Sequence, residues 1–231
     1  MKLNNELAAI VTGGASGLGE ATARALAERG VRIAIFDMNV DAGVAVAKDI
    51  EGIFVQVDVS SPESVAAGMV TVKEECGTPR ICVNCAGVAP AQKTVSKGVV
   101  HDAALFQKVI NINLVGTFNV ASQAAQLMAE ADPLTPDGER GVIVNTASVA
   151  AFDGQVGQVA YGSSKAAVAG MTLPMARDLS RDGIRVMTIA PGIFGTPMLL
   201  AMPEEVQDAL GKQVPFPSLS LIHISEPTRP Y

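Results

Sequence analysis

The 231-residue chain has no tryptophan, only 4% aromatic residues and only two histidines. Its 17 lysines and arginines are outnumbered by 23 aspartates and glutamates, and the net charge of −6 argues against nucleic acid or an anionic membrane as a partner. No apolar run is long enough to cross a bilayer, and no signal-type segment precedes the first predicted strand, so we expect a cytoplasmic protein. Three cysteines form no even disulfide framework, which indicates a reducing compartment.

A glycine-rich turn lies between two apolar runs near the start of the chain. The first run, 7–11, leads into the sequence TGGASGLG. An alanine-rich helical segment follows and ends at Gly30. The second run, 31–36, ends in Asp37. This order of strand, turn, helix, strand and acid is typical of a mononucleotide-binding βαβ unit. The turn would hold a pyrophosphate at the N-terminus of the helix. Its predicted cofactor-binding residues are Gly13, Ser16, Gly17, Leu18 and Gly19.

Asp37 predicts the choice of cofactor. A carboxylate at the end of the second strand accepts hydrogen bonds from the adenosine ribose and repels a 2′-phosphate. Neither Ser16 nor Met38 supplies a cation for that phosphate, so we expect NAD rather than NADP.

The alternation of strands and helices continues through residue 87. Asp58 and Val59 end the third predicted strand, where Val59 would contact the adenine ring; an Asp that caps the next helix is an equal alternative. The fourth strand, 81–84, leads into NCAG, whose Asn84, Ala86 and Gly87 would cover the other side of the cofactor. Cys82 and Cys85 have no further cysteine pair or histidine beside them, so we interpret them as buried small residues and expect no metal site.

The segment Asn145–Lys165 holds the candidate chemistry. An apolar strand, GVIV, places Ser148 at the carboxyl edge of the predicted sheet, where open α/β sheets bind their ligands. Tyr161 and Lys165 are four residues apart and therefore share one face of a helix. The ammonium of Lys165 would lower the pKa of the Tyr161 phenol and make it a base. The alternative is a surface helix that carries a tyrosine and a lysine by chance.

The remaining segments complete a single-domain α/β fold. Residues 105–128 predict one long helix, 159–180 a helix kinked by Pro174, 184–190 a strand and 203–210 a short helix. We therefore expect a Rossmann-type, doubly wound parallel sheet.

These motifs together resemble the short-chain dehydrogenase/reductase family. The resemblance covers residues 7–218 and rests on TGGASGLG, NCAG, Asn113, Ser148, YGSSK at 161–165 and PGIFGT at 191–196; within the family, the chain is most similar to type II 3-hydroxyacyl-CoA dehydrogenases. Gly162 and Ser163 depart from the usual serine and alanine. The resemblance implies that Asn113, Ser148, Tyr161 and Lys165 are catalytic, with Asn113 holding a water that links Lys165 to solvent. It also implies that Tyr161, Lys165, Pro191, Gly192 and Thr196 contact NAD, and that Ser148, Gln155 and Tyr161 contact substrate. For Gln155, a surface amide is nearly as good an interpretation.

The function implied by the resemblance is the NAD-dependent, reversible oxidation of a 3-hydroxyacyl-CoA to the 3-ketoacyl-CoA. A hydroxysteroid or another secondary alcohol is the alternative substrate, and a non-catalytic NAD-binding scaffold is an alternative of another class. The resemblance implies a homo-oligomer, a tetramer in the family; here we expect a dimer through the helices at 105–128 and 159–180.

The last residues, 219–231, resemble neither the family nor the preceding chain. Leu219 to Arg229 matches a translated transposase-type sequencing adapter, so we interpret residues 1–218 as a truncated dehydrogenase domain and 219–231 as a non-native tail. The sheet would then lack its last strand and a C-terminal segment, and strand 184–190 would form an exposed apolar edge.

Overall fold

The computed structural model describes residues 1–201 and 204–211 of the chain. Within that part, the strands are β1 (Ala8–Thr12), β2 (Arg32–Asp37), β3 (Ile53–Gln56), β4 (Pro79–Asn84), β5 (Val95–Ser96), β6 (Val99–Val100), β7 (Gly141–Thr146) and β8 (Ile184–Ile189). The α-helices are α1 (Gly17–Ala27), α2 (Val40–Asp49), α3 (Pro62–Glu75), α4 (Ala103–Ile110), α5 (Gly116–Ala129), α6 (Val159–Asp178), α7 (Pro197–Leu200) and α8 (Glu204–Gly211).

Six strands form one parallel sheet in the order β3-β2-β1-β4-β7-β8. This is the Rossmann order, and it confirms the predicted doubly wound α/β fold. The strand order reverses between β1 and β4, where the loops after the two strands diverge. A ligand crevice forms at such a reversal because the helices that follow the strands pass to opposite faces of the sheet.

Alternate side chains of the central strands enter two cores. Ile10 of β1 packs with the helices α3, α5 and α6 on one face, whereas Val11 packs with α1 and α2 on the other face. This alternation follows from the two-residue period of a strand. Because both faces are covered, the central strands are apolar throughout, as the runs at 7–11 and 31–36 predict.

Several predicted boundaries change in the structure. The helix predicted at 105–128 consists of α4 and α5 joined by a π-helical segment, Asn111–Val115. Pro174 lies inside α6, and Ser61 caps α3 by accepting from the amide of Ser64 at 3.1 Å. β3 ends at Gln56, so that Asp58 and Val59 lie in the following loop and not in the strand.

A small antiparallel hairpin was not expected from the sequence. It pairs β5 with β6, and its turn residues, Lys97 and Gly98, have φ values of 50° and 79°. Two consecutive positive φ angles are typical of a type I′ turn. Strands of two residues are too short to show a hydrophobic period, which is why sequence analysis missed them.

β8 forms one edge of the sheet within the described residues. Its buried Ile184 and Val186 alternate with Met187 and Ile189, which are about half exposed. Within the described residues, β8 therefore has the apolar, half-exposed outer face expected for an edge strand. The predicted tail, 219–231, the domain boundary at 218 and Pro203 lie outside the described residues. Among the described helices, none is long and apolar enough to span a membrane.

Candidate active site

A cleft of about 500 Å³ opens at the carboxyl edge of the sheet, over the point where the strand order reverses. It is lined by seventeen of the residues that the sequence nominates: Gly13, Ser16, Gly17, Leu18, Gly19, Asp37, Asp58, Val59, Ala86, Gly87, Ser148, Gln155, Tyr161, Lys165, Pro191, Gly192 and Thr196. Asn84 and Asn113 are nominated as well, but they do not line the cleft.

The glycine-rich turn places backbone atoms where no side chain fits. A Cβ atom on Gly19 would lie 2.2 Å from the carbonyl oxygen of Gly13, and one on Gly13 would lie 2.9 Å from the amide nitrogen of Ala86. Gly13 and Gly17 also have φ values of 64° and 57°, which favour glycine. The N-terminus of α1 faces the cleft without a side-chain cap from Ser16. The turn therefore fits the pyrophosphate of a dinucleotide.

Asp37 lies at the end of β2 and ties the turn to the sheet. Its Oδ2 atom accepts from the amide of Ala15 at 3.1 Å, and its Oδ1 atom accepts from the amide of Asn39 at 2.9 Å. The second function of this carboxylate, holding the glycine-rich turn, was not expected from the sequence. Each carboxylate oxygen keeps a lone pair for a ribose hydroxyl.

The other end of the cleft is apolar. Val59 is buried, and its carbonyl accepts from Nδ2 of Asn119 at 2.9 Å, which fixes the loop after β3. Asp58 is exposed and accepts from the amide and the hydroxyl of Ser60 at 2.9 and 2.6 Å. Asp58 therefore closes the turn before α3, while Ser61 caps the helix, so the helix-capping interpretation of Asp58 is wrong.

Ser148, Tyr161 and Lys165 converge above the end of β7. Ser148 follows the strand in an extended conformation, and its hydroxyl accepts from the amide of Ala150 at 3.1 Å and lowers the pKa of the nearby Tyr161 phenol. Lys165 lies one turn after Tyr161 on α6, with Nζ 5.8 Å from the centroid of the tyrosine ring. Nζ donates to the carbonyl oxygen of Thr146 at 2.7 Å. A hydroxyl donor, a phenol and an ammonium thus share one wall of the cleft.

Burial determines the charge states of these groups. It raises the pKa of the Tyr161 phenol above its usual value of 10, against the smaller, opposite effect of the nearby Ser148 hydroxyl. It also lowers the pKa of the Lys165 ammonium to about 8. The side chains of the protein alone therefore do not produce the expected fall in the Tyr161 pKa. A positive charge bound close to the phenol would have to supply that fall.

Asn113 holds a loop against a helix. It is fully buried in the π-helical segment, where its Oδ1 atom accepts from the amide of Val88 at 2.8 Å. Its Nδ2 atom donates to the carbonyl of Val88 at 2.9 Å and to the Ser164 hydroxyl at 3.0 Å. The side chain thus joins the loop after β4 to the helix that carries Tyr161 and Lys165.

Asn84 lies beneath the cleft and not in it. Its side chain is buried and donates to Oδ1 of Asn145 at 2.9 Å across β4 and β7. Of the two cysteines, Cys82 is buried in the core as expected. Cys85 is only partly buried and lines the cleft, with Sγ 3.5 Å from the Thr146 hydroxyl.

The loop after β8 forms the remaining wall. The amide of Val149 donates to the carbonyl of Pro191 at 3.0 Å, which holds this loop beside Ser148. The sequence did not nominate the apolar side chains Ile193, Phe194 and Leu199, which also line the cleft. The feature of the sequence that could have identified them is their apolar character after the Pro191-Gly192 pair. Gln155 lies on the exposed rim of the cleft.

Comparisons with known proteins agree with this arrangement. Residues 7–207 match the family model described as short chain dehydrogenase. The 3-hydroxyacyl-CoA dehydrogenase type-2 of Drosophila melanogaster is 56% identical over 212 residues, which cover 90% of this chain and 83% of that protein. The human enzyme of the same name is 50% identical over 216 residues, covering 92% and 82%. The crystal structure of 3-hydroxyacyl-CoA dehydrogenase type-2 from Mycobacterium avium superimposes with a TM-score of 0.87 at 40% identity, covering 96% of this chain and 87% of that one.

Proposed function

Because the chain belongs to the short-chain dehydrogenase family, we propose that it oxidises the secondary alcohol of a 3-hydroxyacyl-CoA to the 3-keto product, and catalyses the reverse reaction, with NAD. The convergence of Ser148, Tyr161 and Lys165 in a cleft with a dinucleotide-type turn is the observation that carries this proposal.

Residues of this chain accept the proton of the substrate hydroxyl. The substrate hydroxyl lies between Ser148 and Tyr161, so that Tyr161 Oη takes its proton while Ser148 donates a hydrogen bond to the same oxygen. The cleft between the glycine-rich turn and Tyr161 would hold the dinucleotide, whose nicotinamide would supply the acceptor for the hydride of the carbinol carbon, so that the alcohol becomes a carbonyl. Lys165 lies one helical turn away, with Nζ 5.8 Å from the centroid of the tyrosine ring, and its ammonium would favour the phenolate together with the positive charge of the bound nicotinamide ring.

Asp37 supports the choice of NAD. Its carboxylate lies beside the turn, and among the described residues that line the cleft, Lys165 is the one cation. Lys165 is on the far side, near Tyr161, and is not placed to bind a 2′-phosphate next to Asp37. A 2′-phosphate would therefore meet a negative charge without a counterion.

The substrate class rests on the names of the relatives and on the cleft wall. Relatives at 50–56% identity are named 3-hydroxyacyl-CoA dehydrogenase type-2, and Phe194 and Leu199 offer apolar contacts to an acyl chain. A second candidate is a hydroxysteroid, since a 3alpha-hydroxysteroid dehydrogenase of Mediterraneibacter gnavus is 32% identical. Steady-state NADH formation from 3-hydroxyacyl-CoAs and from hydroxysteroids separates the two; higher kcat/KM for a steroid would overturn the acyl-CoA assignment.

The base is tested by Tyr161→Phe. We expect turnover to fall by at least about a thousandfold, because the variant keeps the ring but cannot take the proton. NAD affinity, measured by calorimetry, should change by less than about threefold. If Tyr161→Phe retained activity, the base would have to be another group.

A further inference from the structure

Two asparagines meet in the interior directly below the cleft. Asn84 on β4 and Asn145 on β7 are register partners, and Nδ2 of Asn84 donates to Oδ1 of Asn145 at 2.9 Å. Their relative exposures are 3% and 0%. The pair therefore joins the carboxyl ends of the two strands whose following loops line the cleft.

The pair is costly for stability. Oδ1 of Asn84 and Nδ2 of Asn145 are buried without a hydrogen-bond partner among the described residues. Each unsatisfied buried group opposes folding, and two apolar side chains of similar shape would avoid that cost. Stability alone therefore does not explain two amides at this position.

The position of the asparagine pair next to Thr146 and Cys85 in the chain indicates how it acts on the active site. Asn145 immediately precedes Thr146, whose carbonyl accepts from Nζ of Lys165 at 2.7 Å. Asn84 immediately precedes Cys85, whose Sγ atom lies 3.5 Å from the Thr146 hydroxyl. A shift of one strand end against the other would move the carbonyl that holds Lys165, because Thr146 is covalently bound to Asn145.

We propose that Asn145, through its amide pair with Asn84, is a positioning residue that fixes the Thr146 carbonyl and thereby places Lys165 beside Tyr161. This inference rests on the proposed function in that Lys165 assists Tyr161. Asn145 itself does not line the cleft, so it acts through Thr146 and Lys165 and touches no reacting atom.

The test compares Asn145→Leu with the double variant Asn84→Leu/Asn145→Leu in the full chain. The single variant leaves Nδ2 of Asn84 without its acceptor and should lower Tm by about 2–6 °C. The double variant removes both amides and should regain most of that loss. Both should lower kcat by about tenfold or more, with KM for the alcohol changed by less than about threefold.

A second measurement follows Lys165 directly. Heteronuclear NMR of the lysine side chains should show the pKa of Lys165 rising from about 8 by about one unit in the double variant, because a loosened strand end admits water to the ammonium. Thr172→Val/Thr188→Val is the matched control. Thr188 is the register partner of Asn145 on β8, and its hydroxyl is hydrogen-bonded to the Thr172 hydroxyl. Neither threonine is next to the Thr146 carbonyl in the chain. This control should keep the pKa of Lys165.

The proposal is overturned if the double variant regains kcat together with Tm and Lys165 keeps its wild-type pKa; the pair is then only structural. Because the NMR measurement needs no turnover, it remains decisive if the wild-type chain proves inactive. Such inactivity would count against the proposed function and not against the positioning of Lys165.

Discussion

Lys165 carries a buried charge whose cost depends on pH. Its pKa in the folded protein is about 8, below the usual 10.5, so between these values the unfolded chain binds more protons than the folded one. The contribution of this residue to the free energy of unfolding therefore rises with pH across that window. The full shift corresponds to roughly 3 kcal/mol.

Lys165→Met tests this linkage. We expect the variant to gain most in stability over the wild type at pH 7, where the wild type buries the ammonium. The difference should shrink by roughly 3 kcal/mol between pH 7 and pH 10.5. Urea unfolding at several pH values measures it. Two stability curves that stay parallel over that range would show that Lys165 is not desolvated as described.

Asp37 is proposed to select NAD over NADP, and it also holds the glycine-rich turn. Variants of Asp37 therefore have to separate these two functions. We expect Asp37→Ala with Met38→Arg to lower the NAD-to-NADP ratio of kcat/KM by about tenfold or more, because the repulsion is removed and a cation is added. Asp37→Asn with Met38→Arg is the matched control for the turn, since the amide oxygen can still accept from Ala15. An unchanged ratio in both variants would contradict the assignment of Asp37.

At the scale of the element, the glycine-rich turn depends on contacts between backbone atoms. Gly19→Ala would place Cβ 2.2 Å from the Gly13 carbonyl, so the turn has to move. We expect NAD affinity to fall by about tenfold or more, measured by calorimetry, with a loss of stability of about 1–3 kcal/mol. Gly170→Ala on α6, where a Cβ meets open space in the single chain, should instead stabilise the monomer by about 0.5–1 kcal/mol. Equal effects of the two changes would count against the steric argument.

The elements differ in how far the sequence predicts them. The βαβ unit at 7–37 is predictable because apolar runs, glycines and the acid occur in a fixed order. The π-helical segment at Asn111–Val115 is not predictable, because it depends on how Asn113 bonds to Val88 and Ser164 from other elements. π-helical turns often occur at functional sites, and this one carries the residue that joins the loop after β4 to α6.

The whole molecule offers a test of the expected homo-oligomer. Phe118 on α5 and Leu173 on α6 are each more than half exposed, although both are large and apolar. We expect a dimer through these helices, with twice the chain mass of 23.8 kDa in sedimentation velocity. Phe118→Glu should convert it to a monomer, whereas Val70→Glu, at an equally exposed valine on α3, should not. A wild-type monomer at micromolar concentration would contradict the expectation.

At the same scale, the sequence by itself determined the fold class and most of the cleft. The apolar runs had to form buried parallel strands, the glycines had to form the turn, and the helical spacing of Tyr161 and Lys165 had to put them on one face. These inferences depend only on local order along the chain, which the sequence contains.

Only the tertiary structure decided the charge states and the supporting contacts. Burial raises the pKa of Tyr161 and lowers that of Lys165, and burial depends on segments that are far apart in the chain. Packing also decides that Asn84 does not line the cleft. Its side chain lies below the cleft and is hydrogen-bonded to Asn145, 61 positions away in the chain. Desolvation and cross-strand pairing arise from packing, and a linear pattern does not specify which atoms will be enclosed.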